Sequence, residues 1–155
     1  MRAIDAVVLV SASALVAYAL VGCGRRSAPA VLANPTRTPG VLSAEVTQAT
    51  IGATICTRGW TATVRPPTSY TSALKSRQMA EYGETGSPTA YQEDHLISLE
   101  LGGDPTDPRN LWPEPYPRAS QVDRVENDLN AQVCAGELSL AAAQRRESVL
   151  KHDYG

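Results

Sequence analysis

The residues of this chain best suited to chemistry are Glu93-Asp94-His95, an acidic pair running into one of the two histidines. A carboxylate beside an imidazole can divide the labour of hydrolysis. The carboxylate holds a divalent cation, and the neutral imidazole takes a proton from water. Successive side chains on a strand point to opposite faces, so Asp94 and His95 serve one site only if the backbone bends there. Gly102-Gly103 and Asn110-Leu111 follow, and further on stand Asp123 and Glu126. The other histidine, His152, lies near the C-terminus, in what reads as a frayed end. Arg65, Lys75, Arg77 and Arg109 are candidates for holding a phosphate.

The surrounding elements must position these groups. Residues 47–56 read as a short helix with Ile51 and Ile55 on one face, and Gly59 breaks it. Residues 60–65 alternate as an extended piece that Pro66-Pro67 ends. Residues 70–82 are predicted to be a helix with Leu74 and Met79 inward and Gly83 as its stop. Residues 91–101 read as a strand, residues 104–109 as a surface loop, and residues 110–112 as a second extended segment stopped by Pro113, Pro115 and Pro117. Ser120 with Asp123 three residues on resembles a capping box. Val122, Val125, Leu129 and Val133 then form a narrow apolar stripe. Gly136 ends that helix, and Ser139 caps a last one running from Leu140 to about Lys151. The expected class is α+β, mostly helical, around a small strand–loop–strand–helix core. The chain has no Phe, so its core must come from Val, Leu, Ile, Ala and the few Trp and Tyr.

Asp94-His95-Leu96-Ile97, then Gly102-Gly103, then Asn110-Leu111, resembles the HNH, or ββα-metal, nuclease motif. Residues 93–114, continuing into Val133-Cys134-Ala135-Gly136-Glu137-Leu138-Ser139-Leu140 and Ala143-Gln144, are similar to a group of small exported bacterial proteins with an HNH-like core. So are Ile55-Cys56, Gly59-Trp60, Val64-Arg65-Pro66-Pro67, Tyr70-Thr71 and Leu74-Lys75 upstream. The resemblance implies that His95 activates water against a phosphodiester and that Asp94 binds the metal. It implies that Asn110 hydrogen-bonds across the loop and keeps the histidine oriented. The implied cofactor is a divalent ion, Mg²⁺ first, with Mn²⁺ or Zn²⁺ as alternatives, and the implied partner is nucleic acid.

The chain departs from that pattern in two places. The second metal-binding His or Asn of such proteins would fall at Pro117-Arg118-Ala119, which offers no ligand, and Ser98 stands where Pro is common. At 100° per helical residue, Glu126 lies beside the Val122/Leu129 stripe and is the first candidate for the missing ligand. Asp123 is the second.

The N-terminus indicates the compartment. Residues 6–20 form an apolar run after Arg2, too short for a comfortable membrane span, as in an export signal. A cysteine directly after Leu20-Val21-Gly22 resembles the lipobox of bacterial lipoproteins. That resemblance implies cleavage before Cys23 and acylation of its thiol. The expected organisation is a signal peptide over residues 1–22, a flexible tether over 23–40 and an HNH-like domain over 41–155, anchored by lipid to the outer face of a bacterial membrane. With Cys23 acylated, Cys56 and Cys134 remain in an oxidising compartment, where they are expected to pair.

A formal net charge of −2 argues against coating a nucleic acid through many phosphates, so any such contact is local. Two functions of different classes follow. One is an exported, lipid-anchored, metal-dependent endonuclease acting on DNA or RNA. The other is a non-catalytic binding or structural lipoprotein that keeps an HNH-like scaffold. Whether the helix after Ser120 brings an oxygen ligand to Asp94 discriminates between them.

Overall fold

The computed structural model describes residues 32–154; the signal segment, Cys23 and the first part of the expected tether lie outside the described residues. Four helices and one strand pair carry the architecture: α1 (Trp60–Val64), α2 (Thr68–Tyr82), β1 (Tyr91–His95), β2 (Leu111–Pro115), α3 (Arg118–Cys134) and α4 (Leu140–Val149). A π-helical turn, Leu150–Tyr154, extends α4. The fold is therefore mixed, mostly helical, with a small two-stranded antiparallel sheet. Among the described residues no helix is long and apolar enough to cross a membrane.

β1 and β2 pair with Asp94 opposite Trp112 and His95 opposite Leu111. β2 runs through Pro113 to Pro115, where the prolines were expected to stop it. The register explains this. Leu96 N–H bonds the Asn110 carbonyl and Tyr116 N–H bonds that of Ala90, so the even-numbered residues of β1 occupy the hydrogen-bonded positions. Pro113 and Pro115 face Glu93 and Tyr91 in the alternate positions, where a missing N–H breaks no ladder bond.

One core cluster joins Val46, Ile55, Ile97 and Leu101 to Leu129 and Val133 of α3 and to Leu140 and Ala143 of α4. Leu96, Trp112 and Ala33 form a second. The apolar stripe of α3 thus faces the segment just after β1, which carries the flank with Asp123 and Glu126 toward the end of that strand. Cys56 and Cys134 are joined as a disulfide, with Cα atoms 5.5 Å apart, inside the range a disulfide spans without backbone movement.

Several elements differ from expectation for identifiable reasons. Over residues 47–56 only Ile51–Ala53 is helical, as a single 3₁₀ turn. Threonine hydroxyls take the backbone partners there: Thr50 donates to Glu45 O at 2.8 Å and Thr54 to Thr50 O at 2.8 Å. Such bonds compete with a helical ladder. Residues 60–65, expected to be extended, form α1 up to Val64 instead, entered through Gly59 at φ 84°. Their Thr/Val alternation mimics a strand, and five residues are too few to show helical periodicity. β1 ends at His95 because both backbone groups of Ile97 are taken by the Asn110 side chain.

α3 begins at Arg118 with no side-chain cap, so Ser120 lies inside its first turn and Asp123 is no capping-box partner. Ser139 does cap α4, accepting from Ala142 N. The described end of the expected tether is packed against the fold. Ala33 and Thr38 are buried, Ala33 N donates to Lys151 O at 3.2 Å, and Gly40 N donates to Arg109 O at 3.1 Å. Residues before 41 thus belong to the packed fold.

Candidate functional site

Asp94 and His95 end β1, where the chain leaves the sheet, and both line one small polar cleft with Arg65, Gln92, Asp123 and Glu126. Both reach it although they are still paired in the strand ladder, opposite Trp112 and Leu111, and the backbone bends just beyond them at Leu96 and Ile97. Carboxylate oxygens of Asp94, Asp123 and Glu126 lie within 4.8 Å of one another. Gln92 bridges two of them, its amide donating to Asp94 Oδ1 and Asp123 Oδ1 at 3.2 Å each.

Asn110 stands behind the cleft rather than in it. It is fully buried. Its Oδ1 accepts from Ile97 N at 3.0 Å and Val41 N at 3.4 Å, and its Nδ2 donates to Ile97 O at 3.0 Å and Asp104 O at 2.9 Å. It is a positioning residue: it closes the loop between the strands from inside. Gly102-Gly103 makes room for that closure. Gly102 takes φ 78°, and a Cβ on Gly103 would lie 1.8 Å from Ile97 O and 2.6 Å from Asn110 Nδ2. Only glycine fits there.

The loop so held presents the Pro105 carbonyl to His95 Nε2 at 3.1 Å. A carbonyl only accepts, so Nε2 carries the proton and Nδ1 keeps the lone pair of the neutral ring. Burial pushes the His95 pKa below its ordinary value, although the Pro105 carbonyl and Asp94 pull the other way. The ring is therefore neutral near pH 7, as a proton acceptor must be.

Sequence reasoning missed the group at the centre of the cluster. Lys151 is completely buried, and its ammonium sits 2.7 Å from Asp94 Oδ2, 2.6 Å from Glu126 Oε1 and 3.4 Å from Glu147 Oε1. It also donates to the His95 carbonyl. The last helical turn is thus anchored at Lys151 rather than frayed, and His152 contributes by bonding Thr38 O at 3.0 Å through Nε2. The available signal was the i, i+4 pair Glu147/Lys151, on the same face of the last helix as Leu140 and Ala143.

One ammonium faces several carboxyl groups, and the charge distributes accordingly. Burial opposes the charge on Lys151, but Asp94, Glu126 and Glu147 hold its pKa well above the ordinary lysine value. Burial also opposes ionised Asp94, yet Lys151 and a hydrogen bond from Glu114 keep that carboxylate below its usual range. Burial pushes Glu126 well up, and Glu147 up, despite the same lysine. Both members of the Lys151–Glu126 pair thus move upward, because one cation does not neutralise three carboxylates and Asp94 takes the largest share. Glu114 is pushed up to about 9 by burial and by the neighbouring Asp94 charge. Neither Glu114 oxygen meets a donor, which fits a protonated carboxyl that itself donates to Asp94.

Of the other cations considered, Lys75 donates to the carbonyls of Pro88 and Tyr91, and Arg109 pairs with Asp107 at 2.6 Å. Arg65 alone lines the cleft, with no ion pair among the described residues. No family model, curated protein or solved structure matches the chain.

Proposed function

We propose that this protein is an exported, lipid-anchored, metal-dependent phosphodiesterase acting on nucleic acid, with β1, the loop, β2 and α3 serving as an HNH-like core. The observation that carries the reading is the convergence of Asp94, Asp123 and Glu126 within 4.8 Å, beside His95, in one polar cleft. The donor set is all oxygen, which suits Mg²⁺ or Mn²⁺ over Zn²⁺, and carboxylates this close can share one hard cation. When bound, such an ion supplies positive charge against the developing phosphorane and leaving oxygen.

The chain's own groups supply the rest. His95 Nδ1 accepts the proton of the attacking water. The Pro105 carbonyl, held by Asn110, fixes the tautomer that allows this. Arg65 is placed to meet a phosphate oxygen, and Gln92 keeps Asp94 and Asp123 in register. A single cleft cation agrees with a contact confined to one phosphate rather than a coated polyanion.

The scaffold reading has one observation in its favour: Lys151 already satisfies Asp94 and Glu126 with a resident positive charge. Degradation of plasmid DNA and of RNA by the purified chain with Mg²⁺, Mn²⁺ or Zn²⁺ decides between them. Cleavage that is lost in His95→Ala, with Mn²⁺ binding kept, is expected. A wild-type chain that cuts neither substrate with any of the three metals leaves the scaffold function in its place.

A further inference from the structure

We infer that Lys151 is a built-in rival of the divalent ion for Asp94 and Glu126, so that loading the cleft requires the C-terminal turn Leu150–Tyr154 to release at least one of those carboxylates. The inference rests on the metal-site reading above and adds its regulation.

Both Asp94 oxygens are already used, Oδ2 by the lysine at 2.7 Å and Oδ1 by Gln92 at 3.2 Å. Glu126 gives its Oε1 to the same ammonium at 2.6 Å. A divalent ion bound to these two groups would stand close to a dehydrated ammonium, and two cations at such a separation repel strongly in a poorly solvated interior. The cleft has an independent mark of a missing ligand: Ser98 lines it, and the buried Ser98 Oγ has no hydrogen-bond partner.

The lysine arrives on an element that can yield. α4 ends at Val149, and the next turn is π-helical, a rare geometry that occurs mostly as single turns and frequently at functional sites. Its side-chain and long-range ties to the rest of the chain are few: the Lys151 ammonium contacts, the bond from Ala33 N to Lys151 O at 3.2 Å, and the His152 contacts to Thr38 O and to the Ser148 hydroxyl at 3.2 Å. Glu147, one turn before, holds the lysine from its own helix at 3.4 Å and accepts from Ser98 N through both oxygens. The release therefore moves a short terminal turn and leaves the core in place.

The test compares the wild-type chain with Lys151→Met/Glu147→Gln, which removes the ammonium together with a carboxylate that depends on it. Mn²⁺ binding is followed by electron paramagnetic resonance and by the Mn²⁺-induced rise in Tm. The double variant is expected to bind Mn²⁺ roughly tenfold or more tightly than wild type and to gain a larger rise in Tm. Equal or weaker binding, or none in either chain, overturns the inference. In a wild type that binds, amide exchange over Leu150–Tyr154 should quicken at saturating Mn²⁺, and unchanged exchange also overturns it. Should the double variant not fold in buffer, recovery by Mn²⁺ supports the rivalry and absence of recovery refutes it. Tighter Mn²⁺ binding by the variant, with no cleavage by either chain, would remove the nuclease function and leave this inference standing.

Discussion

Two buried polar side chains brace the end of β1, and they do it by different physics. Asn110 is neutral, and each of its four hydrogen bonds goes to backbone of Val41, Ile97 or Asp104. Lys151 is charged, and it draws carboxylates from β1, α3 and α4 around one atom. The amide is saturated, so it fixes geometry without creating demand elsewhere. The ammonium is outnumbered, so every partner's state depends on its presence. A neutral knot makes a site precise; a charged knot makes it interdependent, and able to change state when another cation arrives.

The largest effect expected from breaking this contrast is at Lys151. Lys151→Met alone should cost about 3–5 kcal/mol of stability in urea unfolding, the range for leaving buried charges without their partner. Adding Glu147→Gln should recover part of that loss. A single variant that costs under about 1 kcal/mol would make the charged knot no different from an ordinary surface pair.

Asn110→Ala comes next, at about 2–3 kcal/mol, because it leaves buried backbone groups of Ile97 and Asp104 unpaired. Unlike Lys151→Met, it should leave Mn²⁺ affinity nearly unchanged, which isothermal titration would measure. Altered affinity would make Asn110 part of the same electrostatic unit.

The smallest effect is a slope in pH. Glu114 binds its proton up to about 9 in the folded chain and only to its ordinary 4.5 when unfolded. Between those values the folded state holds more protons, so its contribution to stability is complete at the acid end and is lost as pH rises through the window. Glu114→Gln imitates the protonated form. It should flatten that part of the stability–pH curve while changing stability near pH 4, where both states hold the proton, by under about 1 kcal/mol. A curve of unchanged slope would mean that Glu114 is ionised in the folded chain.

What was legible in the sequence follows the same division. The strand–loop–strand–helix order, the helix over α2, the stops at Gly83 and Gly136 and the cap at Ser139 all rest on local signals, and all lie where those signals put them. The choice of Glu126 and Asp123 as companions of Asp94 came from helical angle alone, and both line the cleft with it. Elements with short or ambiguous periods were misread, as α1 and residues 47–56 illustrate. Lys151 was invisible for another reason. Its partner Asp94 is 57 residues away and Glu126 is 25 away, and no pattern along the chain records which distant carboxylates will need a cation. Glu114, hidden between two prolines on β2, gave no sign that burial would keep it protonated.

The disulfide bears on when the cleft becomes rigid. Cys56 and Cys134 are separated by 78 residues, and the loop between them contains every residue that lines the cleft. Loop-closure entropy values a tie of that length at about 4.5 kcal/mol, a large share of the roughly 5–15 kcal/mol that holds a typical domain together. A newly made chain in a compartment that keeps thiols reduced lacks this contribution. Its cleft residues are then drawn together only by packing, the Lys151 ion pairs and the Gln92 bridge. On the proposed reading of an exported hydrolase of nucleic acid, the missing tie would separate the place of synthesis from the place of full competence, with no inhibitor needed to keep them apart.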